Sequence, residues 1–182
     1  MCFSRFGHRS AMTLVAILSL LASSIALSTP PTHSSVSDVA ASPSPAGVTS
    51  GHALDIYKSP SCGCCQEWVD HIEAQGFSDE IHHPSDLNQI KVKYRIAPEY
   101  QSCHTAVSSD GYIFEGHIPA KIIQRFLSEK PKDALGLAVP GMPTGSPGME
   151  MGNHFSPYDV LLLKSYGSTQ VYTRINNADE QH

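Results

Sequence analysis

Three cysteines of this 182-residue chain lie within four positions, in the segment Cys62-Gly63-Cys64-Cys65. Apolar residues predict a strand over 54–57, and helical spacing follows over 68–72, with Gly76 as a natural end of the helix. The cysteines therefore stand at a helix N-terminus, where backbone N–H groups and the helix dipole stabilise negative charge. A thiol there can have a pKa of roughly 3.5–7.5 instead of about 8.5. The pattern predicts thiolates, which act as redox groups or as ligands for soft metal ions.

The spacing of the cysteines distinguishes a redox role from metal binding. Cys62 and Cys65 alone have the C-x-x-C spacing of thiol–disulfide exchange, which needs one attacking and one resolving sulfur. Cys64 adds a third thiol, which gives exchange no advantage and invites wrong pairings. The segment therefore favours metal binding, with thiol–disulfide exchange as the alternative.

The cysteines need a scaffold, and the residue pattern predicts an α/β domain of order β-α-β-α-β-β-α followed by a hairpin. Ser85 is the expected cap of the second helix, Asp110-Gly111 marks the turn between the third and fourth strands, and Pro119 begins the third helix. A loop rich in Gly, Pro and Met is expected over 135–157. This order is typical of a thioredoxin-like domain, in which the segment entering the third strand faces the first strand–helix junction.

Cys103 lies in that facing segment, so the fold would complete a pocket of four sulfurs with Cys62, Cys64 and Cys65. A structural alternative is a pair of disulfides, which is common in small exported domains. A bridge from Cys103 to the cluster would close a loop of about 40 residues and contribute roughly 4 kcal/mol in the chain-entropy model. A domain of this size, however, can bury a core without disulfides.

The remaining soft donors bear on the choice of metal. Four cysteines alone would suit zinc, but Met142, Met149 and Met151 fall within one ten-residue stretch. Thioethers, like thiolates, select Cu(I), although such methionines are often ordinary gap-fillers or mobile surface. The histidine candidates are His104, His117 and His154. The pattern favours copper, with Met142, Met149 and His117 as additional ligands, and leaves the roles of Met151, His104 and His154 open.

The N-terminal residues have the pattern of a targeting sequence and are not expected to belong to the folded domain. A basic start, an apolar run and small residues before position 28 predict a cleavable export signal, and the run is too short and serine-broken for a stable membrane span. Without it the chain has 10 basic and 17 acidic residues, a net charge of −7, which argues against nucleic acid as a partner. The expected segments are a signal peptide (1–28), a flexible linker (29–51), the thioredoxin-like metal-binding domain (52–176) and a tail (177–182).

Four separated motifs, in this order, resemble those of one family. They are Cys62-Gly-Cys-Cys65, Ser102-Cys-His-Thr-Ala106, Glu115-Gly-His-Ile-Pro119 and the Gly/Pro/Met segment 136–150. They are similar to the CopG-type periplasmic copper-resistance proteins of Gram-negative bacteria, long catalogued as a domain of unknown function. The resemblance covers residues 54–174. It implies a thioredoxin-like domain that binds copper through Cys62, Cys64, Cys65 and Cys103.

The hypothesis is therefore a periplasmic copper-binding protein of copper tolerance. Clustered thiolates suggest several Cu(I) ions rather than one, with Met142, Met149 and His117 at open positions. Because Cu(I) and Cu(II) prefer different ligands, such a site could interconvert them, which would make the protein a copper oxidoreductase. Two alternatives stay open: an exported thiol–disulfide oxidoreductase using Cys62 and Cys65, and a passive carrier that delivers copper to a periplasmic efflux protein or oxidase.

Overall fold

The computed structural model describes residues 52–182. The expected signal peptide (1–28) and the expected linker (29–51) lie outside the described residues. Within 52–182, seven strands and three α-helices follow one another. They are β1 (Ala53–Lys58), α1 (Gly63–Ala74), β2 (Ser78–His82), α2 (Leu87–Lys93), β3 (His104–Ser108), β4 (Ile113–Glu115), α3 (Ala120–Glu129), β5 (Ala134–Ala138), β6 (Tyr158–Lys164) and β7 (Thr169–Ile175).

The strands form one seven-stranded sheet in the order β2-β1-β3-β4-β5-β6-β7. β1 runs parallel to β2 and antiparallel to β3, and β3 pairs antiparallel with β4. The pairing of Lys58 with His104 brings the end of β1 beside the start of β3. Because Cys62 follows the former and Cys103 precedes the latter, the sheet register itself places the two cysteine segments side by side.

The α/β class and the order β-α-β-α-β-β-α are confirmed, with the predicted hairpin at the C-terminus. The interpretation as thioredoxin-like stays a prediction. Two details differ. The second helix is capped by Asp86, whose carboxylate accepts from the N–H of Asn88 at 2.9 Å, and not by Ser85. Asp in this position satisfies a free helical N–H as well as Ser does.

The predicted 135–157 loop begins later than expected, because residues 134–138 form β5 between β4 and β6. Gly136 is needed for this pairing. A Cβ at that position would lie 1.8 Å from the carbonyl oxygen of Ile113 on β4, so only a residue without a side chain permits the strands to pair. A glycine that looks like a loop signal in the sequence is here a close-packing residue in a strand.

The hydrophobic core lies between the sheet and the helices α1 and α3. α3 buries Ile122, Ile123, Phe126 and Leu127, as its helical spacing predicts. Trp68 of α1 is fully buried, and its indole N–H donates to the carbonyl of Ile118 at 2.9 Å. This bond ties the helix that follows the cysteines to the segment between β4 and α3.

Residues 177–182, expected as a tail, include a short 3₁₀ helix at Ala178–Gln181. Gln181 is 2% exposed. Its amide accepts from the hydroxyl of Tyr158 at 2.5 Å and donates to the carbonyl of Gly145 at 2.8 Å. These contacts attach the end of the chain to the Gly/Pro/Met loop that packs beside the cysteines.

Candidate metal centre

The four cysteines converge at the N-terminus of α1, as the sequence predicts. Cys62 is the N-cap residue, and Cys64 and Cys65 lie in the first turn. Cys103 approaches from the segment before β3. The ligand atoms of Cys62, Cys64, Cys65 and Cys103 all lie within 4.8 Å of one another.

Two of the four sulfurs are bonded in this structure. Cys62 and Cys65 form a disulfide, while Cys64 and Cys103 are free and half-buried. The Sγ atoms of Cys62 and Cys64 are 3.5 Å apart, and those of Cys65 and Cys103 are 3.3 Å apart. Each free thiol therefore lies close to one sulfur of the disulfide. Among the cysteines of residues 52–182, only the C-x-x-C pair is bridged, and the second disulfide of the structural alternative is not formed.

Cys103 carries a proton at neutral pH in the metal-free protein. Burial, followed by the nearby charge of Cys64, raises the pKa of Cys103 to about 11. Desolvation penalises the thiolate, and this penalty is the largest cause of the raised pKa of Cys103. Cys103 is thus not a ready thiolate, and a bound metal would have to displace its proton.

His117 is placed as a ligand would be. Its Nδ1 lies 2.8 Å from the carbonyl oxygen of Pro147, so Nδ1 donates, and the neutral ring leaves Nε2 as the acceptor. That Nε2 lies 3.0 Å from the Sγ of Cys103. Burial lowers the pKa of His117, which favours this neutral form. A ring that donates one nitrogen to a carbonyl and directs the other to a shared site is typical of metal-ligating histidines.

His104, whose role the sequence leaves open, also adjoins the cysteines. It is the first residue of β3, and Cys103 directly precedes that strand. His104 Nδ1 lies 3.4 Å from the Sγ of Cys103, and its ring packs on Trp68 at 4.3 Å between centroids. The residue is completely buried, and its Nε2 has no hydrogen-bond partner within the described part of the chain. Burial holds the pKa of His104 well below its usual range.

The Gly/Pro/Met loop packs directly on the cysteine segment. A Cβ at Gly148 would lie 2.6 Å from the carbonyl oxygen of Cys64 and 2.7 Å from the backbone nitrogen of Trp68. Met149 follows Gly148, and the carbonyl of Pro147 is the partner of His117. The loop therefore forms one wall of the site.

The loop methionines differ in exposure. Met149 is partly buried, whereas Met142 and Met151 are 51% and 61% exposed. Met142 follows Gly141, whose carbonyl accepts from the hydroxyl of Ser102, the neighbour of Cys103. Met142 thus follows a residue that contacts the Cys103 segment, and Met149 follows one that packs on the Cys64 segment. Their action as ligands stays a prediction. His154 is exposed and pairs with Met151 in an isolated bridge, and it is not part of the donor groups formed around the cysteines.

Sequence reasoning missed a buried ion pair beside the site. Lys91 of α2 and Glu115 of β4 are in contact, with side chains 4% and 0% exposed. Burial raises the pKa of Glu115, and the charge of Lys91 opposes this rise. The sequence signal for Glu115 was its position two residues before the candidate ligand His117. Nothing in the sequence predicts that it pairs with Lys91.

The donor set fits a soft metal ion. Four sulfur atoms in one pocket are the ligands that Cu(I) and Zn²⁺ accept, and two imidazole rings adjoin one of these sulfurs. Ligation by all four cysteines requires reduction of the Cys62–Cys65 disulfide, which yields two thiols. The residues present can therefore hold such an ion in the reduced protein.

No helix within residues 52–182 combines the length and apolar character needed to cross a membrane. Residues 100–149 match the family described as "protein of unknown function, DUF411". Among curated proteins, none matches this chain. The chain is similar to two solved structures of the copper resistance protein CopG, called form 1 and form 2.

Both structures are 38% identical to this chain. Form 1 has a TM-score of 0.65, and the match covers 70% of this chain and 99% of CopG. Form 2 has a TM-score of 0.66 and covers 69% of this chain and 99% of CopG. Identity at this level over nearly the whole of the solved protein shows common descent. The chain therefore belongs to the CopG family of copper-resistance proteins.

Proposed function

We propose that this protein is a periplasmic copper-binding protein of copper homeostasis that holds Cu(I) through Cys62, Cys64, Cys65 and Cys103. The observation that carries the proposal is the convergence of their four ligand atoms within 4.8 Å. Three come from one turn of one helix and the fourth from a segment distant in sequence. Localisation in the periplasm rests on the export signal expected in residues 1–28.

Copper is favoured over zinc for two reasons. The loop that forms one wall of the site carries all the methionines of the described region, and thioethers select Cu(I) rather than Zn²⁺. The two solved relatives at 38% identity are copper resistance proteins. Short distances between neighbouring sulfurs, 3.3 and 3.5 Å, suit thiolates that bridge ions, so several copper ions per chain are the expected load.

The site also supports the proposed interconversion of Cu(I) and Cu(II). Cys103 belongs to a second donor group, with His104 and His117, whose ligand atoms lie within 4.8 Å of one another. A thiolate with two imidazoles is a donor set that accommodates both oxidation states. Bound copper would supply one-electron exchange there, with an external electron carrier as the other reactant. The chain's own contribution is the neutral His117 ring, whose free Nε2 faces the Cys103 sulfur.

A second candidate function is thiol–disulfide exchange, and the Cys62–Cys65 disulfide is the observation that favours it. The bridge stands at a helix N-terminus, which stabilises the thiolate that leaves on reduction. In this reaction two electrons and two protons open the S–S bond to two thiols. Cys64 and Cys103 have no required part in it.

Cys64→Ser separates the two functions, because the variant keeps the C-x-x-C pair and removes one ligand of the proposed copper site. Ser61→Ala, an exposed neighbour on the other side of Cys62, is the control. We expect Cys64→Ser to retain fewer copper ions per chain than the control after loading with Cu(I), and to keep its dithiol reduction potential. Copper binding equal to the control would remove Cys64 from the site and support exchange by Cys62 and Cys65.

A further inference from the structure

A contribution to stability does not by itself explain the buried pair of Lys91 and Glu115. A buried ion pair is weak evidence for stability, because the cost of desolvating both charges offsets their attraction. Apolar residues of similar volume at such buried positions often give a protein of equal stability. The partners of this pair indicate what else it does.

Glu115 accepts hydrogen bonds from residues on both sides of Cys103 and His104. Its Oε1 accepts from the backbone N–H of Ser102 at 2.7 Å and from the ammonium group of Lys91. Its Oε2 accepts from the hydroxyl of Thr105 at 2.6 Å. One carboxylate therefore fixes the segment that carries Cys103 before and after the cysteine.

Lys91 completes this arrangement from α2. Its ammonium donates to Glu115 and also to the Thr105 hydroxyl at 3.2 Å. A buried carboxylate needs partners for both of its oxygens, and Lys91 supplies the cationic one. Lys91 thus connects Glu115 and Thr105 from α2.

Glu115 is also the last residue of β4, two residues before His117. Gly116 follows Glu115, and its N–H donates to the carbonyl of His104 at 3.1 Å. A Cβ at Gly116 would lie 2.6 Å from the Cβ of Ser102, so the two segments are in close contact. Small displacements of one segment would move the Cys103 sulfur relative to the His117 ring, which are 3.0 Å apart.

We infer that Lys91 and Glu115 are positioning residues, which hold Cys103 and His117 in the relative placement that metal binding requires. This inference rests on the proposed function for its effect on copper, but the placement itself exists in the metal-free protein. Residues that orient metal ligands typically change metal affinity about 10–100-fold when they are replaced.

Two double variants of the full chain test this role. Lys91→Met with Glu115→Leu replaces the pair by apolar residues and removes the acceptor of Ser102 and Thr105. Lys91→Met with Glu115→Gln also removes both charges but keeps an amide oxygen for the Ser102 N–H. Thr105→Val, which removes a single hydroxyl, tests the same contacts if the first variant fails to fold.

The first measurement uses protein without metal. After reduction, the rate of Cys103 alkylation by iodoacetamide is measured by peptide mass spectrometry relative to that of Cys64 in the same molecule. We expect this ratio to change at least threefold in the Leu variant and to return toward the wild-type ratio in the Gln variant. An unchanged ratio in the Leu variant, or in Thr105→Val if the Leu variant is unfolded, would overturn the inference.

The second measurement is competition for Cu(I) with bicinchoninate. We expect the Leu variant to bind Cu(I) about 10–100-fold more weakly than the wild type, with partial recovery in the Gln variant. Equal affinity in all forms would also overturn the inference. If the wild type itself retains no Cu(I), the proposed function fails, while the alkylation ratio still decides whether the pair positions Cys103.

Discussion

Gly148 offers a sharp test of the contact between the Gly/Pro/Met loop and the cysteine segment. The residue has φ +83°, and an added Cβ would lie 2.6 Å from the carbonyl oxygen of Cys64 and 2.7 Å from the backbone nitrogen of Trp68. Both obstructing atoms belong to the backbone of α1, so they cannot move as a flexible side chain would. Gly148→Ala should therefore push the loop away from the helix.

The expected loss in the free energy of unfolding follows from a comparison with Gly152 in the same loop. Gly152 also has a left-handed backbone, φ +60°, but an added Cβ there would meet nothing within 4 Å. Both substitutions carry the cost of a left-handed residue with a side chain, about 1–2 kcal/mol. Gly148→Ala adds overpacking against backbone, about 1–3 kcal/mol. The free energy of unfolding should fall by that additional amount in Gly148→Ala relative to Gly152→Ala.

Urea denaturation of the reduced, metal-free variants, followed by circular dichroism, measures this difference. Displacement of the loop should also increase alkylation of Cys64 relative to Gly152→Ala. If the two variants have the same free energy of unfolding and the same Cys64 reactivity, the loop does not pack on the cysteine segment as described. The loop would then be no wall of the metal centre.

Two further predictions concern side chains of α1. Burial lowers the pKa of His71 below 6.5 in the folded protein. The unfolded chain therefore protonates His71 more readily than the folded protein does. The free energy of unfolding keeps its full value above pH 6.5 and falls as the pH is lowered from 6.5 toward the folded pKa. His71→Gln, which keeps an acceptor for the N–H of Ala120, should make the pH dependence of urea unfolding shallower between pH 7 and 5, by at most about 1.4 kcal/mol per pH unit; an identical slope would contradict this assignment. Trp68→Phe removes the bond to the carbonyl of Ile118 and leaves a small cavity in a fully buried position, and it should lower the free energy of unfolding by about 2–3 kcal/mol. A loss below about 0.5 kcal/mol in the same urea assay would show that the carbonyl finds another partner.

The parts of the site that could be predicted from sequence depend on local signals. The strand before Cys62 and the helix after Cys65 each follow from the spacing of a few apolar residues, and together they fix the cysteines at a helix N-terminus. Cys103 could be placed opposite because the order of elements determined which segment faces that junction. These inferences need no knowledge of distant pairing beyond the order of the strands.

The parts that sequence could not provide arise from contacts between distant residues. β5 contains a glycine that is required by the carbonyl of Ile113 on β4, a constraint invisible in a local window. Lys91 stands on a short helix where a lysine ordinarily faces solvent, and its burial depends on Glu115. The raised pKa of Cys103 likewise comes from the surroundings that the folded chain creates, and not from its neighbours in sequence.

The central claim is that four cysteines form one copper site, and copper stoichiometry tests it most directly. Anaerobically reduced protein is loaded with excess Cu(I), freed of loosely bound metal, and assayed for copper and for reactive thiols, beside Cys103→Ser. We expect more than one copper ion per chain, less copper in Cys103→Ser, and protection from alkylation of the four cysteines, Cys62, Cys64, Cys65 and Cys103. No retained copper, together with reversible closure of the Cys62–Cys65 disulfide, would contradict it.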